Sequence, residues 1–320
     1  MSTSAAETEA RGRAGDKHSM NGFLGVRLRY DEMPTREGDA EVAYGDCFIQ
    51  RINKFLHSVQ EAYSESWESH VTCVAGTNKE VIRGRARCIA GRVEDLFAEA
   101  LYDVLSECIQ GLLVFVDLPL SYELDEYDDN GKKRKDICYP DVVVAQRKEN
   151  QINILYLVEL KVNLGWGRHK LAGEMFVKAE SGGKVKKSIT PIEAEITHEL
   201  EELIGKRVWS KIPFGMKSRE NLQGVMNDGE LHFVVSNDTR YDLIICSSKN
   251  VPKAALQKAR ERIGSDESAI CQMYVLSDAE LSLKYADEKK KIDNDVMLCS
   301  HDVRKWKSRI GTLVGGLDQL

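Results

Sequence analysis

Three residues carry the chemistry this chain suggests: Asp141, which follows Pro140, and the pair Glu159 and Lys161, two positions apart. Two carboxylates supply the hard oxygen ligands that Mg²⁺ prefers. An ammonium group beside them can position an attacking water or help to deprotonate it. Singly, each element is ordinary, since Pro-Asp is common at strand starts and Glu-x-Lys on charged surfaces. Their context differs. Glu159 and Lys161 extend the apolar run Ile152 to Leu160, and charges at the end of a buried strand are costly unless paired or metal-bound. A structural ion pair meets that requirement too, but a functional site is the stronger reading, because perturbed charges of this kind gather in such sites.

The elements that must position these groups are legible around them. Tyr139 to Lys161 reads as two buried strands separated by the polar break Gln146 to Gln151. Strand alternation places Glu159 and Lys161 on one face with Leu155 and Leu157, and Ile154, Tyr156 and Val158 on the other. A tight connection brings Asp141, at the head of the first strand, beside the end of the second. Upstream, Val93, Leu96, Phe97, Ala100, Leu101, Val104, Leu105 and Cys108 form an apolar helical stripe ending at Gly111. Glu94 adjoins that stripe, and either joins a metal site or complements the helix dipole from the first turn. Leu112 to Leu120 reads as a strand, and Asn130-Gly131 as a hairpin turn. Folding at that turn sets Glu123, Asp125, Glu126, Asp128 and Asp129 against Lys132, Lys133, Arg134 and Lys135, a structural role preferred here over nuclear localisation or DNA binding.

In Pro140-Asp141, Glu159-x-Lys161 and the upstream helix carrying Glu94, the sequence resembles the PD-(D/E)XK nuclease superfamily, over about Arg92 to His169. The resemblance implies a restriction-endonuclease-like fold, an α/β architecture with a mixed central sheet flanked by helices, its core at about 92–276 and elaborations at both ends. It also implies that Asp141 and Glu159 hold a divalent metal, Mg²⁺ or Mn²⁺, that Glu94 completes the metal site, and that Lys161 orients the nucleophilic water. Helix, strand, hairpin, strand and strand run in the order of that superfamily's core.

The composition, 320 residues with 42% apolar and 30% charged content, is that of a soluble globular protein. No run of eighteen apolar residues is present, and the polar start of the sequence leads us to expect neither a membrane span nor a secretory signal. Eight cysteines lie scattered without a Cys-x-x-Cys pair, which predicts reduced thiols and a cytoplasmic protein. His70 and Cys73 have ligand-like spacing but no second pair. The formal net charge of −6 argues mildly against DNA, yet binding depends on where charge is placed. From Lys161 to Thr190 there are seven Lys or Arg against two Glu. Within that window Trp166, Arg168, His169 and Lys170 offer stacking and phosphate contacts, and Ser181 to Lys187 reads as a mobile loop presenting Lys184, Lys186 and Lys187. Arg83, Arg85 and Arg87 alternate, as a solvated edge or a phosphate contact.

Elsewhere the pattern predicts a disordered tail over Met1 to Asn21, a strand at Phe23 to Tyr30, and a single domain over 22–320. Asp46 is positioned to cap a helix bearing Phe48, Ile52, Phe55, Leu56, Val59 and Tyr63. Thr190, Pro191 and Glu193 read as N-cap, N1 and N3 of a helix reaching Gly205, with an acidic outer face. Val208 to Gly229 reads as loop, with further DNA contacts. Leu231 to Val235, Tyr241 to Cys246 and Cys271 to Leu276 read as strands. Ala255 to Ile263, Ser277 to Lys291 and Asp302 to Leu313 read as helices, with Trp306 and Ile310 facing inward.

The function these readings imply is metal-dependent hydrolysis of DNA phosphodiester bonds by an endonuclease of restriction, defence or repair type. The alternative is a catalytically inactive nucleic-acid-binding protein on the same fold. Cutting both strands requires two sites, which suggests a homodimer, with apolar positions near Trp306 as the interface.

Overall fold

The computed structural model describes residues 40–68, 71–73, 80–82, 88–162, 168–178, 183–211, 222, 225–264, 268–281 and 296–314. In chain order the elements are α1 Ala40–Glu68, β1 Val71–Cys73, β2 Glu80–Ile82, α2 Cys88–Leu105, β3 Leu112–Val116, β4 Leu120–Tyr127, β5 Lys133–Cys138, β6 Val142–Lys148 and β7 Gln151–Lys161. There follow α3 Arg168–Ala172, β8 Glu174–Lys178, β9 Lys184–Ser188, α4 Ile192–Leu203, β10 Val208–Lys211, β11 Met226–Asn227, β12 Glu230–Ser247, α5 Lys253–Ile263, β13 Met273–Ser277 and α6 Asp302–Leu313. The chain is mixed α/β. Its central sheet runs β3-β6-β7-β12-β10-β4-β5, with β11 and β13 also on β12. Most neighbours are antiparallel; β12 runs parallel to β7 and β13.

Alternation along the strands splits the core in two. Val143, Ala145, Ile154, Leu157 and Leu243 pack on the face covered by α3, α4 and α5. Val142, Val144, Tyr156, Val158 and Ile244 pack on the other face, under α1, α2 and α6. Helices therefore flank the sheet on both sides, the arrangement that buries both faces of its apolar strands.

Tertiary pairing overrides several local expectations. In β7, Val144 lies opposite Tyr156 but Ala145 opposite Ile154, so Leu155 is bulged out of register. Ile154 therefore shares the Leu157 face, and Leu155 leans toward the opposite cluster; the predicted alternation holds only from Tyr156 to Lys161. The two strands expected at Leu231 to Val235 and Tyr241 to Cys246 are one strand, β12, with its register shifted between Val235 and Arg240. There the Thr239 hydroxyl donates to the Ile154 carbonyl (2.8 Å) and accepts from the Ser236 N–H (3.1 Å), so side-chain bonds replace part of the ladder.

The strand expected through Leu120 stops at Val116, and Leu120 opens β4. Helix α2 begins at Cys88, which moves Glu94 out of the first turn and removes the simple helix-dipole role. It ends at Leu105, and Gly111 serves instead at the start of β3, with φ +75° and no room for a side chain against the Arg147 carbonyl oxygen. Asp46 lies inside α1 rather than at its start. Pro191, not Thr190, is the N-cap of α4, with no side-chain capping bond, because Glu193 turns inward to pair with Arg262. The segment read as loop from Val208 carries β10 and β11. Ser181 to Lys187, read as a mobile loop, contains β9, paired along β8. Ser277 ends β13 rather than starting a helix, and 278–281 are non-helical. Trp306 and Ile310 are fully buried, facing inward as their spacing along α6 implies. The tail, the strand at Phe23 to Tyr30, and Arg83, Arg85, Arg87 and His70 lie outside the described residues.

The local readings with the clearest period agree with the fold. Helix α6 spans Asp302–Leu313. The Asn130-Gly131 turn closes β4 onto β5, Gly131 at φ +72°, and Arg134 meets Glu126 at 2.6 Å. Cys47, Cys108, Cys138, Cys246, Cys271 and Cys299 are free thiols, and among the described residues no helix is long and apolar enough to cross a membrane.

One buried polar network ties α6 to the sheet. Asp242 accepts from the Arg309 Nε (3.2 Å) and a terminal Arg309 nitrogen (3.1 Å), the Tyr156 hydroxyl (2.9 Å) and the Gln272 N–H (2.8 Å). Trp306 Nε1 donates to the Tyr156 hydroxyl at 3.0 Å. Several donors converge on this one carboxylate and offset much of the burial that pushes its pKa up.

Candidate active site

The site forms at the end of the sheet where β3 and β7 finish and β6 begins. The pairing of β6 with β7 sets Val142 opposite Val158, so Asp141, one residue before Val142, lies alongside the last residues of β7. Asp141 Oδ2 accepts the Leu160 N–H at 2.6 Å. The same oxygen lies 3.6 Å from Lys161 Nζ, and that ammonium also contacts Glu159 Oε1 directly. One ammonium therefore touches both carboxylates. All three side chains are largely buried, with 17 to 25% exposure.

The carboxylates nearest Asp141 come from two other elements. Glu94, in the second turn of α2, and Asp117, just past β3, present ligand oxygens that lie with one of Asp141's within 4.8 Å of one another. That separation suits a single hard cation held by oxygen donors. Glu159 instead contacts Lys161 and receives the Tyr241 hydroxyl at 3.5 Å. Asp117 was not anticipated from sequence. Its only signal is a carboxylate directly after the apolar run Leu112 to Val116, and the antiparallel pairing of Val116 with Val142 is what sets it beside Asp141. Its backbone is left-handed, φ +51°, and its N–H donates to the Asp141 carbonyl at 3.1 Å. Asp tolerates that conformation better than most residues, and strain of this kind concentrates at functional sites.

Electrostatics match the crowding. Burial, then the charges of Asp141 and Asp117, push Glu94 up to about 7, with Lys161 opposing. Burial, then Glu159, raise Asp141 to about 6 against the opposing Lys161 ammonium and Leu160 N–H. Burial disfavours the Lys161 charge, but Glu159 and Asp141 outweigh it and its pKa ends above the ordinary lysine value. Lys161 is thus a fixed cation at neutral pH, suited to holding a water or a phosphate oxygen rather than to accepting a proton. Further along the same face, Cys138 Sγ donates to Glu199 Oε2 at 3.4 Å, and burial pushes the Cys138 thiol and the Glu199 carboxyl up. The acidic face of α4 therefore turns partly inward, contrary to the expectation from sequence.

The expected nucleic-acid residues are distributed less evenly. Trp166 lies outside the described residues. Arg168 and His169 open α3. Lys170 pairs with Glu195 of α4 at 2.6 Å, and Lys186 with Glu174 at 2.7 Å. Lys184 and Lys187 are exposed on β9.

The raised carboxyls give a pH expectation with a definite sign. Without a divalent cation the folded protein holds protons on Glu94 and Asp141 up to about 7 and about 6, whereas the ordinary values are 4.5 and 3.8. Through that window the folded state binds more protons than the unfolded, so stability falls as pH rises. The melting temperature in EDTA is expected to drop between pH 5 and pH 8, with a shallower slope in the double variant Glu94→Gln, Asp141→Asn. Added Mg²⁺ is expected to restore stability at pH 8 and to do little at pH 5, where protons compete for the same oxygens. A pH profile identical in the native protein and the double variant contradicts this assignment.

No protein-family model, curated protein or solved structure matches the chain.

Proposed function

We propose that this protein is a Mg²⁺-dependent deoxyribonuclease, an endonuclease of restriction, defence or repair type built on a restriction-endonuclease-like core. The observation that carries the reading is Lys161 in contact with both Asp141 and Glu159, beside the Glu94, Asp117 and Asp141 oxygens. Supporting it, α2, β3, the β4–β5 hairpin, β6 and β7 follow in the order that the superfamily resemblance implies. Carboxylates crowded enough to hold protons near neutral pH are relieved by a divalent cation, and oxygen ligands at this spacing suit Mg²⁺ or Mn²⁺.

In this reading Asp141, Asp117 and Glu94 hold the cation, with Glu159 at the Lys161 side of the site. A bound cation supplies Lewis acidity toward a phosphoryl oxygen and lowers the pKa of water. Lys161, charged and fixed by its two carboxylates, donates to the attacking water or to the phosphate oxygen that gains charge. Tyr241 and the Leu160 N–H hold the Glu159 and Asp141 carboxylates in place.

Supercoiled plasmid is expected to be cut in Mg²⁺ and left intact in EDTA. Asp117→Asn and Asp141→Asn are each expected to shift the Mg²⁺ concentration for half-maximal cutting upward by roughly tenfold or more, in the range seen when metal-site partners are removed. An intact plasmid with the native protein at every Mg²⁺ and Mn²⁺ concentration, together with retained DNA binding, selects the inactive nucleic-acid-binding alternative. The product form reports assembly. A homodimer gives linear DNA directly, whereas a monomer, whose single site cuts one strand at a time, accumulates nicked circles.

A further inference from the structure

The paired strands β8 and β9 form a separate two-stranded antiparallel ribbon, outside the central sheet, between α3 and α4. Its base is anchored. Glu174 receives both Lys186 (2.7 Å) and Lys258 of α5 (2.9 Å), the Ile189 N–H donates to the Gly173 carbonyl at 3.1 Å, and Arg262 of α5 binds the Leu171 carbonyl at 2.6 Å. Beyond the base Met175 and Val177 are half-buried, while the other face is open to solvent at Phe176, Lys178 and Lys184. Every residue of β9 is exposed, and Phe176 and Val185 are 62% and 52% exposed.

Register and alternation sort its side chains. Phe176 pairs with Lys186 and Lys178 with Lys184 on one face; Met175 pairs with Lys187 and Val177 with Val185 on the other. Two features of the first face have no explanation among the described residues. Phe176 is an aromatic ring left in water on an element too small to bury it. Lys178 and Lys184 are like charges directly opposite across the ladder, an arrangement that destabilises the free ribbon. Among the described residues no carboxylate pairs with either. A polyanion carrying apolar surface satisfies both features at once.

We propose that this ribbon is a nucleic-acid arm that lies in the major groove of duplex DNA, with Phe176 toward the base edges and Lys178 and Lys184 toward the flanking phosphates. The major groove admits a two-stranded ribbon, and it exposes thymine methyl groups to which a phenyl ring can pack. The assignment of DNA-facing side chains follows from the face: Lys186 is held at the base by Glu174, and Lys187 points away from Phe176. The arm rests on the nuclease reading for the identity of its partner, but its readout is binding rather than cleavage.

The test is fluorescence anisotropy of a labelled duplex of about 30 base pairs in Ca²⁺, over a salt series, with plasmid cleavage in Mg²⁺ run in parallel. The double variant Lys178→Gln, Lys184→Gln is expected to lower the slope of log affinity against log salt by roughly two, about 0.9 for each phosphate no longer neutralised. Phe176→Ala is expected to weaken duplex binding about tenfold, the order expected for losing the burial of part of a phenyl ring, with little change in salt slope. Lys187→Gln, on the opposite face, is expected to bind within about twofold of the native protein. These side chains are exposed, so unchanged melting temperatures distinguish a weakened DNA interaction from a damaged fold. If the native protein binds and cuts DNA while the double variant and Phe176→Ala bind as it does, the arm is refuted and the nuclease reading stands. If Lys187→Gln weakens binding as much as the double variant, the face assignment is overturned. If the native protein binds no duplex, the arm is refuted whatever else the ribbon docks. Weakened binding in the variants without any cleavage by the native protein supports the arm and refutes the nuclease.

Discussion

Replacing Lys161 by Ala is expected to lower kcat/KM for plasmid cutting by about 10²- to 10⁴-fold, the usual worth of a group that positions or shuttles protons in the transition state, while duplex affinity in Ca²⁺ stays within a few-fold. The reason is where the ammonium sits. Its two anionic neighbours, Glu159 and Asp141, keep it charged and held at the carboxylate cluster, so in the proposed nuclease its contact is with the reacting phosphate rather than with remote parts of the substrate. An interaction made only in the transition state lowers kcat and kcat/KM equally and leaves binding intact. The variant also leaves two buried carboxylates without their cation, so it is expected to need more Mg²⁺ as well; saturating metal separates the two effects. A Lys161→Ala protein that cuts at the native rate in saturating Mg²⁺ would falsify the assigned role.

The largest effect on stability is expected far from the site, at Arg309. Arg309→Met removes the bidentate partner of Asp242 but leaves that carboxylate fully buried, with only the Tyr156 hydroxyl and the Gln272 N–H as donors. Breaking a buried pair from one side costs about 3 to 5 kcal/mol, which for a domain of this size corresponds to a drop in melting temperature of roughly 10 °C. The loss comes from an uncompensated charge, so the double variant Arg309→Met, Asp242→Leu is expected to recover part of it, whereas two independent packing defects would add. Urea denaturation of the native protein and the three variants measures this directly. A double variant less stable than Arg309→Met would show that the network contributes by shape and hydrogen bonding, not by charge balance.

Much of the framework is local in origin and therefore readable along the chain. The 3.6-residue period from Val93 to Leu105, the apolar run before the polar break at Gln146, the Asn130-Gly131 turn and the stripe through Trp306 and Ile310 each commit a short segment to one conformation whatever surrounds it. The meeting of three charges of the candidate site was readable too: Asp141, Glu159 and Lys161 are joined by a single hairpin, and two-residue alternation suffices to put Glu159 and Lys161 on one face. What lay beyond reach depends on pairings between distant segments. Asp117 reaches Asp141 only because β3 lies antiparallel to β6, with Val116 opposite Val142. Tyr241 reaches Glu159 only because β12 runs parallel to β7. The bulge at Leu155 is invisible in a sequence whose residues are apolar on both sides of it, since a strand buried on both faces carries no period to reveal a slip. Glu193 reads as a helix-start acid until Arg262, far along the chain, draws it into the interior. Local pattern settled the elements with a strong period, such as α2, β6, β7 and α6; the three-dimensional packing settled the weaker segments, such as β9 to β11, and which charges meet, because burial makes an unpaired charge so costly that its partner is chosen by whatever element the fold brings within reach.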